Sequence, residues 1–168
     1  MSAPVELIVA AFKNSQKADL ALKSLKKLEE EGVIRLLNAA VMRKDDHGIV
    51  SIYETQDIHA GQGAIFGAIV GGLIGLLGGP AGVILGAAAG AATGGVAADR
   101  IDMGFPDETL HELKQTLTPN SSAILALIQH EWVERVAAEM KEFGADLFKG
   151  ALKAEIAEQL TREVEGSS

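Results

Sequence analysis

Cysteine is absent from the 168-residue sequence. That absence excludes a disulfide framework, a thiolate nucleophile, Cys-ligated zinc and iron–sulfur clusters. Aromatic residues make up only 4% of the chain, with a single Trp and a single Tyr. An excess of basic charge is also missing: fifteen Lys and Arg stand against twenty-three Asp and Glu, for a net charge of −8. A nucleic-acid footprint needs clustered cations to neutralise phosphates, so no nucleic-acid partner is expected, and docking on anionic lipid by charge alone is disfavoured. No basic stretch precedes an apolar one at the start, where Met1-Ser2-Ala3-Pro4 leads straight into a strand-like run. A secretory signal is therefore not expected, and the charged parts of the chain are expected in the cytoplasm.

What the sequence has in abundance is apolar residues (48%) and glycine, with nineteen copies. This is too apolar for disorder and too glycine-rich for an ordinary enzyme core. The charges divide the chain into three: residues 1–57 hold eight basic and nine acidic residues, 58–98 hold none, and 99–168 hold seven and fourteen. The expected organisation is accordingly the first half of an α+β domain over 1–57, an inserted apolar segment over 58–98, and the second half with a C-terminal helix over 99–168.

In the first part Val5 to Phe12 reads as a strand, and Gln16 to Glu31 as a helix with Ala18, Ala21, Leu22, Leu25 and Leu28 on one stripe, stopped by Gly32. Ile34 to Val41 and Ile49 to Thr55 read as a hairpin around the turn residues Lys44 to Gly48. In the last part Pro106-Asp107-Glu108 opens a helix with Leu110, Leu113 and Leu117 on its apolar face. Ser122 to Ile128 is a fourth strand, Glu131 to Phe143 an amphipathic helix closed by Gly144, and Ala145 to Leu152 a fifth strand candidate. A final narrow-faced helix carries Leu152, Ile156, Leu160 and Val164. This alternation predicts a ferredoxin-like mixed sheet with helices on one face.

Within the insertion Gly63, Gly67, Gly71, Gly75 and Gly79 recur at every fourth position, and Gly82, Gly86, Gly90 and Gly94 repeat the pattern after Gly78-Gly79-Pro80-Ala81. Each helix-interior glycine costs roughly 1 kcal/mol against alanine, so nine in register are expected only where close backbone packing returns that energy. The segment is read as a glycine-zipper helical hairpin whose glycines form the helix–helix interface. Ile65, Phe66, Ile69, Val70, Leu73, Ile74, Leu76 and Leu77 lie off the glycine stripe and are expected to face lipid or another apolar partner. Each arm of about seventeen residues would extend about 26 Å, slightly short of the ~30 Å hydrocarbon core of a bilayer, so a re-entrant hairpin is as reasonable as two spans.

The strand VELIVAAF, the helix KADLALKSLKKLEEEG, the segment IRLLNAAVMRKDDHG and the hairpin GAIFGAIVGGLIGLLGGPAGVILGAAAGAATG, followed by DRIDMGFPDETLHELKQTL and SSAILALIQ, resemble bacterial proteins of the domain of unknown function 1269 family. The resemblance implies a bacterial, membrane-associated protein and supplies no catalytic residues.

No chemistry-bearing constellation stands out beside it. His47, His59, His111 and His130 form no pair at helical ligand spacing, and Asp45-Asp46-His47 reads as a solvated turn. Asp99, Arg100 and Asp102 are read as marking the far water boundary of the charge-free block, with an intersubunit ion pair as the alternative, and His59 and Gln62 mark the near boundary. The period-four glycines match neither phosphate-cradling pattern, so no nucleotide, metal or other cofactor is expected. Trp132 reads as a partly buried packing residue. The chain is expected to be a non-enzymatic membrane-associated protein of the bacterial inner membrane. It would self-assemble into a homo-oligomer through the zipper and present the acidic α+β domain as a scaffold. The alternative is a soluble cytoplasmic homo-oligomeric particle whose hairpins enclose an apolar interior able to hold lipid or other hydrophobic cargo.

Overall fold

The computed structural model describes residues 5–57 and 107–149, together with residues 70, 158 and 162. Among the described residues the elements given bounds are, in chain order, β1 (Val5–Phe12), α1 (Lys17–Glu30), β2 (Leu36–Lys44), β3 (Val50–Asp57), α2 (Asp107–Thr116), β4 (Ser121–Gln129), a 3-10 turn (His130–Trp132), α3 (Val133–Glu142) and β5 (Asp146–Lys149). The class is α+β, around one five-stranded sheet in the order β3-β2-β4-β1-β5. Every pairing in it is antiparallel, which corrects the expected mixed sheet.

The order follows from two interlocked crossings. β1 and β2 both run antiparallel to β4, which lies between them, so α1 carries the chain from β1 over β4 to β2. β4 and β5 both run antiparallel to β1, and α3 makes the equivalent crossing over β1. Strands running the same way cannot be joined by a tight turn, so each crossing needs a helix. β2 and β3 are joined by a short turn. There the Asp45 carboxylate accepts from the backbone N–H groups of His47 (2.8 Å) and Ile49 (2.9 Å), and Gly48 adopts φ +81°.

The helices dock by the stripes expected of them. Ala18, Ala21, Leu22 and Leu25 of α1 and Val133, Val136 and Met140 of α3 meet Ile8, Ala10 and Phe12 of β1, Ile124, Ala126 and Ile128 of β4, and Leu36, Ala39 and Val41 of β2 in one core. Polar contacts fix the register of this layer. The Ser122 hydroxyl on β4 donates to the carbonyl of Asn14 (2.5 Å) and accepts from the N–H of Ala18 (3.1 Å), so a strand side chain satisfies the open first turn of α1. That helix has no side-chain cap of its own at Gln16. The Glu29 carboxylate accepts from Leu36 N–H (3.1 Å) at the start of β2, Arg43 pairs with Asp19, and Ser24 of α1 donates to Glu139 of α3.

A bulge in β2 decides which side chains face the helices. The pairing to β4 shifts between Leu36↔Ile128 and Asn38↔Leu127, so one extra residue, Leu37, is accommodated there. Without it Leu36 and Asn38 would share a face, because side chains alternate with period two. With it, Leu36 points at the helices and Asn38, Ala40 and Met42 point away. The α3 helix is shorter than the span 131–143 suggested, because its first turn is wound as 3-10 helix over His130–Trp132. Residues 158 and 162 are helical, exposed and joined as an i,i+4 ion pair, Arg162 to Glu158 at 3.6 Å.

Candidate functional site

Side chains able to do acid–base or metal chemistry are scattered. His47 lies 3.6 Å from Asp46 at the exposed turn, His111 bonds Gln115 one helical turn along α2 (3.0 Å), and His130 contacts Glu6 at the open end of the sheet. Among the described residues no group of three His, Cys, Asp or Glu could hold a metal ion. His59, Asp99, Arg100 and Asp102 lie outside the described residues. Trp132 is half-buried against the helix-side core, as its expected packing role requires.

The feature that sets the domain apart is the other face of the sheet. Leu7, Val9 and Ala11 of β1, Ala40 and Met42 of β2, and Ala123, Leu125 and Leu127 of β4 alternate with the residues that meet α1 and α3, and each is at most 2% exposed. None belongs to the helix-side core. The sheet is therefore buried on both sides. Leu113 of α2 (0%), Leu117 (3%) and Val70 (3%) are likewise buried and outside the helix-side core. Val70 is helical and is the one described residue of the charge-free block. It is buried within a single chain. The expected zipper glycines Gly63, Gly67, Gly71, Gly75, Gly79, Gly82, Gly86, Gly90 and Gly94 lie outside the described residues, as do Ile65, Phe66, Ile69, Leu73, Ile74, Leu76 and Leu77.

On this second face β2 carries Asn38, which is fully buried, with neither its amide nitrogen nor its oxygen hydrogen-bonded. Its strand neighbours in register are Leu127 on β4 and Asp57 on β3, the last described residue before the charge-free block. The Ser121 hydroxyl, six residues along β4 from Leu127, is buried and unpaired as well. Burying an amide without partners costs about 1–3 kcal/mol by the measure of protein variants. Asn38 escaped sequence reasoning, because a lone Asn in an apolar strand gives no signal of which face it joins until the bulge at Leu37 is known. The double burial of the sheet did have a signal: VELIVAAF and SSAILALIQ are nearly continuous apolar runs without the alternation of a half-solvated strand.

Among the described residues no helix is long and apolar enough to cross a membrane. A family model described as "Protein of unknown function (DUF1269)" matches residues 64–165. The match starts within the charge-free block and runs through α2, β4, α3 and β5, leaving β1, α1, β2 and β3 outside it. No curated protein and no solved structure matches the chain.

Proposed function

Because the chain belongs to the DUF1269 family, whose function is unknown, we propose its role from its own residues: a non-enzymatic, membrane-associated protein that oligomerises through the glycine stripes of residues 58–98 and holds its α+β domain out as a scaffold. The domain is read as a ferredoxin-like sandwich extended by the edge strand β3, on the strength of its two interlocked crossings. The bacterial inner membrane, with the domain on the cytoplasmic side, is the proposed location.

One observation carries this reading. Forty-one consecutive residues, Ile58 to Ala98, hold no Asp, Glu, Lys or Arg, and nine of their glycines keep a four-residue period. Glycines four apart share a helix face and let two backbones approach closely, which is favourable where lipid removes the hydrophobic drive between side chains.

A second reading is a soluble homo-oligomer in which these segments meet in an apolar interior; the burial of Val70 within one chain fits it only in that no lipid is needed to cover this side chain. Purification in parallel with and without detergent separates the two. A detergent-dependent oligomer supports membrane association; a large discrete particle in lipid-free buffer supports the second reading; a soluble monomer defeats both. In either oligomer Gly71→Leu or Gly86→Leu is expected to break assembly by forcing backbones apart, while Glu112→Ala on the exposed side of α2 leaves it intact. Equal effects from all three would remove the zipper interface from consideration.

A further inference from the structure

The net charge of −8 conceals a local exception on α1. Ala18, Ala21, Leu22 and Leu25 take one side of this helix into the core, and the opposite side is solvent-facing. Leu20 lies at the centre of that outer side. It is 50% exposed, and no other large hydrophobic side chain among the described residues is exposed. At about 100° per residue, Lys17, Lys23 and Lys27 fall within about 60° of it, with one carboxylate, Glu31, on the same side at the helix end, and all four are exposed. Lys13, exposed in the bend before the helix, adds a fourth cation near its start.

Lys27 lies in the last turn of α1, where the helix dipole favours a cation, but neither the dipole nor ion pairing accounts for the rest of the stripe. Lys17 is the first residue of α1, where the positive end of the helix dipole disfavours a cation. Lys27 approaches Glu31 only to 4.0 Å, with both side chains more than half exposed, a pair of negligible strength. An exposed leucine ringed by long cations is instead the residue pattern of a helix lying at a lipid interface, where lysine stems drape along apolar surface and their ammonium groups reach phosphate.

We propose that this face of α1 docks on an anionic phospholipid surface, with Leu20 entering the headgroup boundary and Lys17, Lys23 and Lys27 meeting lipid phosphates. The proposal deepens the membrane reading above and rests on it. An acidic polypeptide fits less well, because protein interfaces are anchored by buried aromatic or Arg side chains in pockets, and the stripe offers one leucine on a convex helix. The acidic balance elsewhere on the chain weakens the attraction but orients it: an anionic surface repels the other faces and leaves this one to approach.

The chain has no cysteine, so Leu20→Cys accepts a single environment-sensitive nitrobenzoxadiazole probe on the full-length protein. The labelled chain is mixed with phosphatidylcholine vesicles, with or without phosphatidylglycerol, and flotation and emission are recorded together. The expected result is flotation with an emission shift to shorter wavelength when phosphatidylglycerol is present. The shift should be lost on adding Lys17→Gln, Lys23→Gln and Lys27→Gln, while the same probe at Glu142→Cys on α3 does not respond. About 1 kcal/mol per basic residue near such a surface corresponds to roughly a hundred-fold weaker docking for the triple variant. Flotation with identical emission in both lipids, or a shift that survives the triple variant or appears equally at position 142, overturns the docking and leaves membrane association standing. A shift that grows with protein concentration in lipid-free buffer means that a second copy occupies the stripe, which also overturns it. Failure to float with either vesicle removes the membrane reading itself.

Discussion

Asn38 shows how much one side chain can hold against the stability of its surroundings. It occupies a central strand, is fully buried, and makes no hydrogen bond through either amide atom. Leucine has the same branched shape, with bulkier methyl groups that the strand must accommodate, and no polar group to desolvate. Asn38→Leu is therefore expected to raise stability by about 1–3 kcal/mol, seen as a higher urea midpoint at unchanged slope. A fall in the midpoint would mean that the amide is satisfied in solution. Ser122 is the contrasting case. It is equally buried on the neighbouring strand, but its hydroxyl both donates and accepts, and it joins β4 to the start of α1. The two residues look alike in the sequence, as single polar residues in apolar strands. What separates them is the face each occupies: Ser122 meets the open amides of a helix, and Asn38 does not.

The two helices on the shared face end in the same way, and here local sequence was sufficient. At the end of α1, Gly32 N–H bonds Glu29 O (2.9 Å) and Val33 N–H bonds Leu28 O (2.8 Å); at the end of α3, Gly144 N–H bonds Lys141 O (2.9 Å) and Ala145 N–H bonds Met140 O (3.2 Å). Both are Schellman closures with the glycine left-handed, at φ +73° and +81°. No atom lies within 4 Å of where a Cβ would stand at either position, so only the backbone conformation resists substitution. Gly32→Ala and Gly144→Ala should each destabilise by about 1 kcal/mol, with similar values for the two in chemical denaturation. A negligible cost at both would mean that the left-handed turns are not maintained. The stripes of α1 and α3 and the hairpin turn at Asp45–Gly48 were equally legible, because periods of 3.6 and 2 and turn chemistry involve near neighbours. The 3-10 turn over His130–Trp132 and the bulge at Leu37 were not, since each is imposed by how a strand must meet its partners.

Across the domain, β1, β2 and β4 of the sheet are buried on both faces. Leu125 and Ile124 are adjacent on β4 and point to opposite sides, yet are 0% and 1% exposed. Leu125→Ala and Ile124→Ala are both expected to cost about 2–5 kcal/mol in equilibrium unfolding. A value below about 1 kcal/mol at Leu125 alone would mean that the second face is open in solution. Val70, the one described residue of the charge-free block, is likewise a buried helical residue of the same chain. An apolar surface of this size on both sides leaves the exposed chemistry of the domain to its helix surfaces, of which the outer side of α1 is the most distinctive.

Composition and spacing by themselves determined the α+β class, the approximate course of the strands and helices described here, their stop signals, the charge-free middle and the family resemblance. All of these depend on residues within a few positions of one another, where backbone geometry links spacing directly to shape. Tertiary structure alone decided that the sheet is wholly antiparallel, that its second face is buried, and that Asn38 lies there without a partner. These follow from strand order and from which side each segment turns inward. Both are set by contacts between residues as far apart as β1 and β4, about which local periodicity is silent.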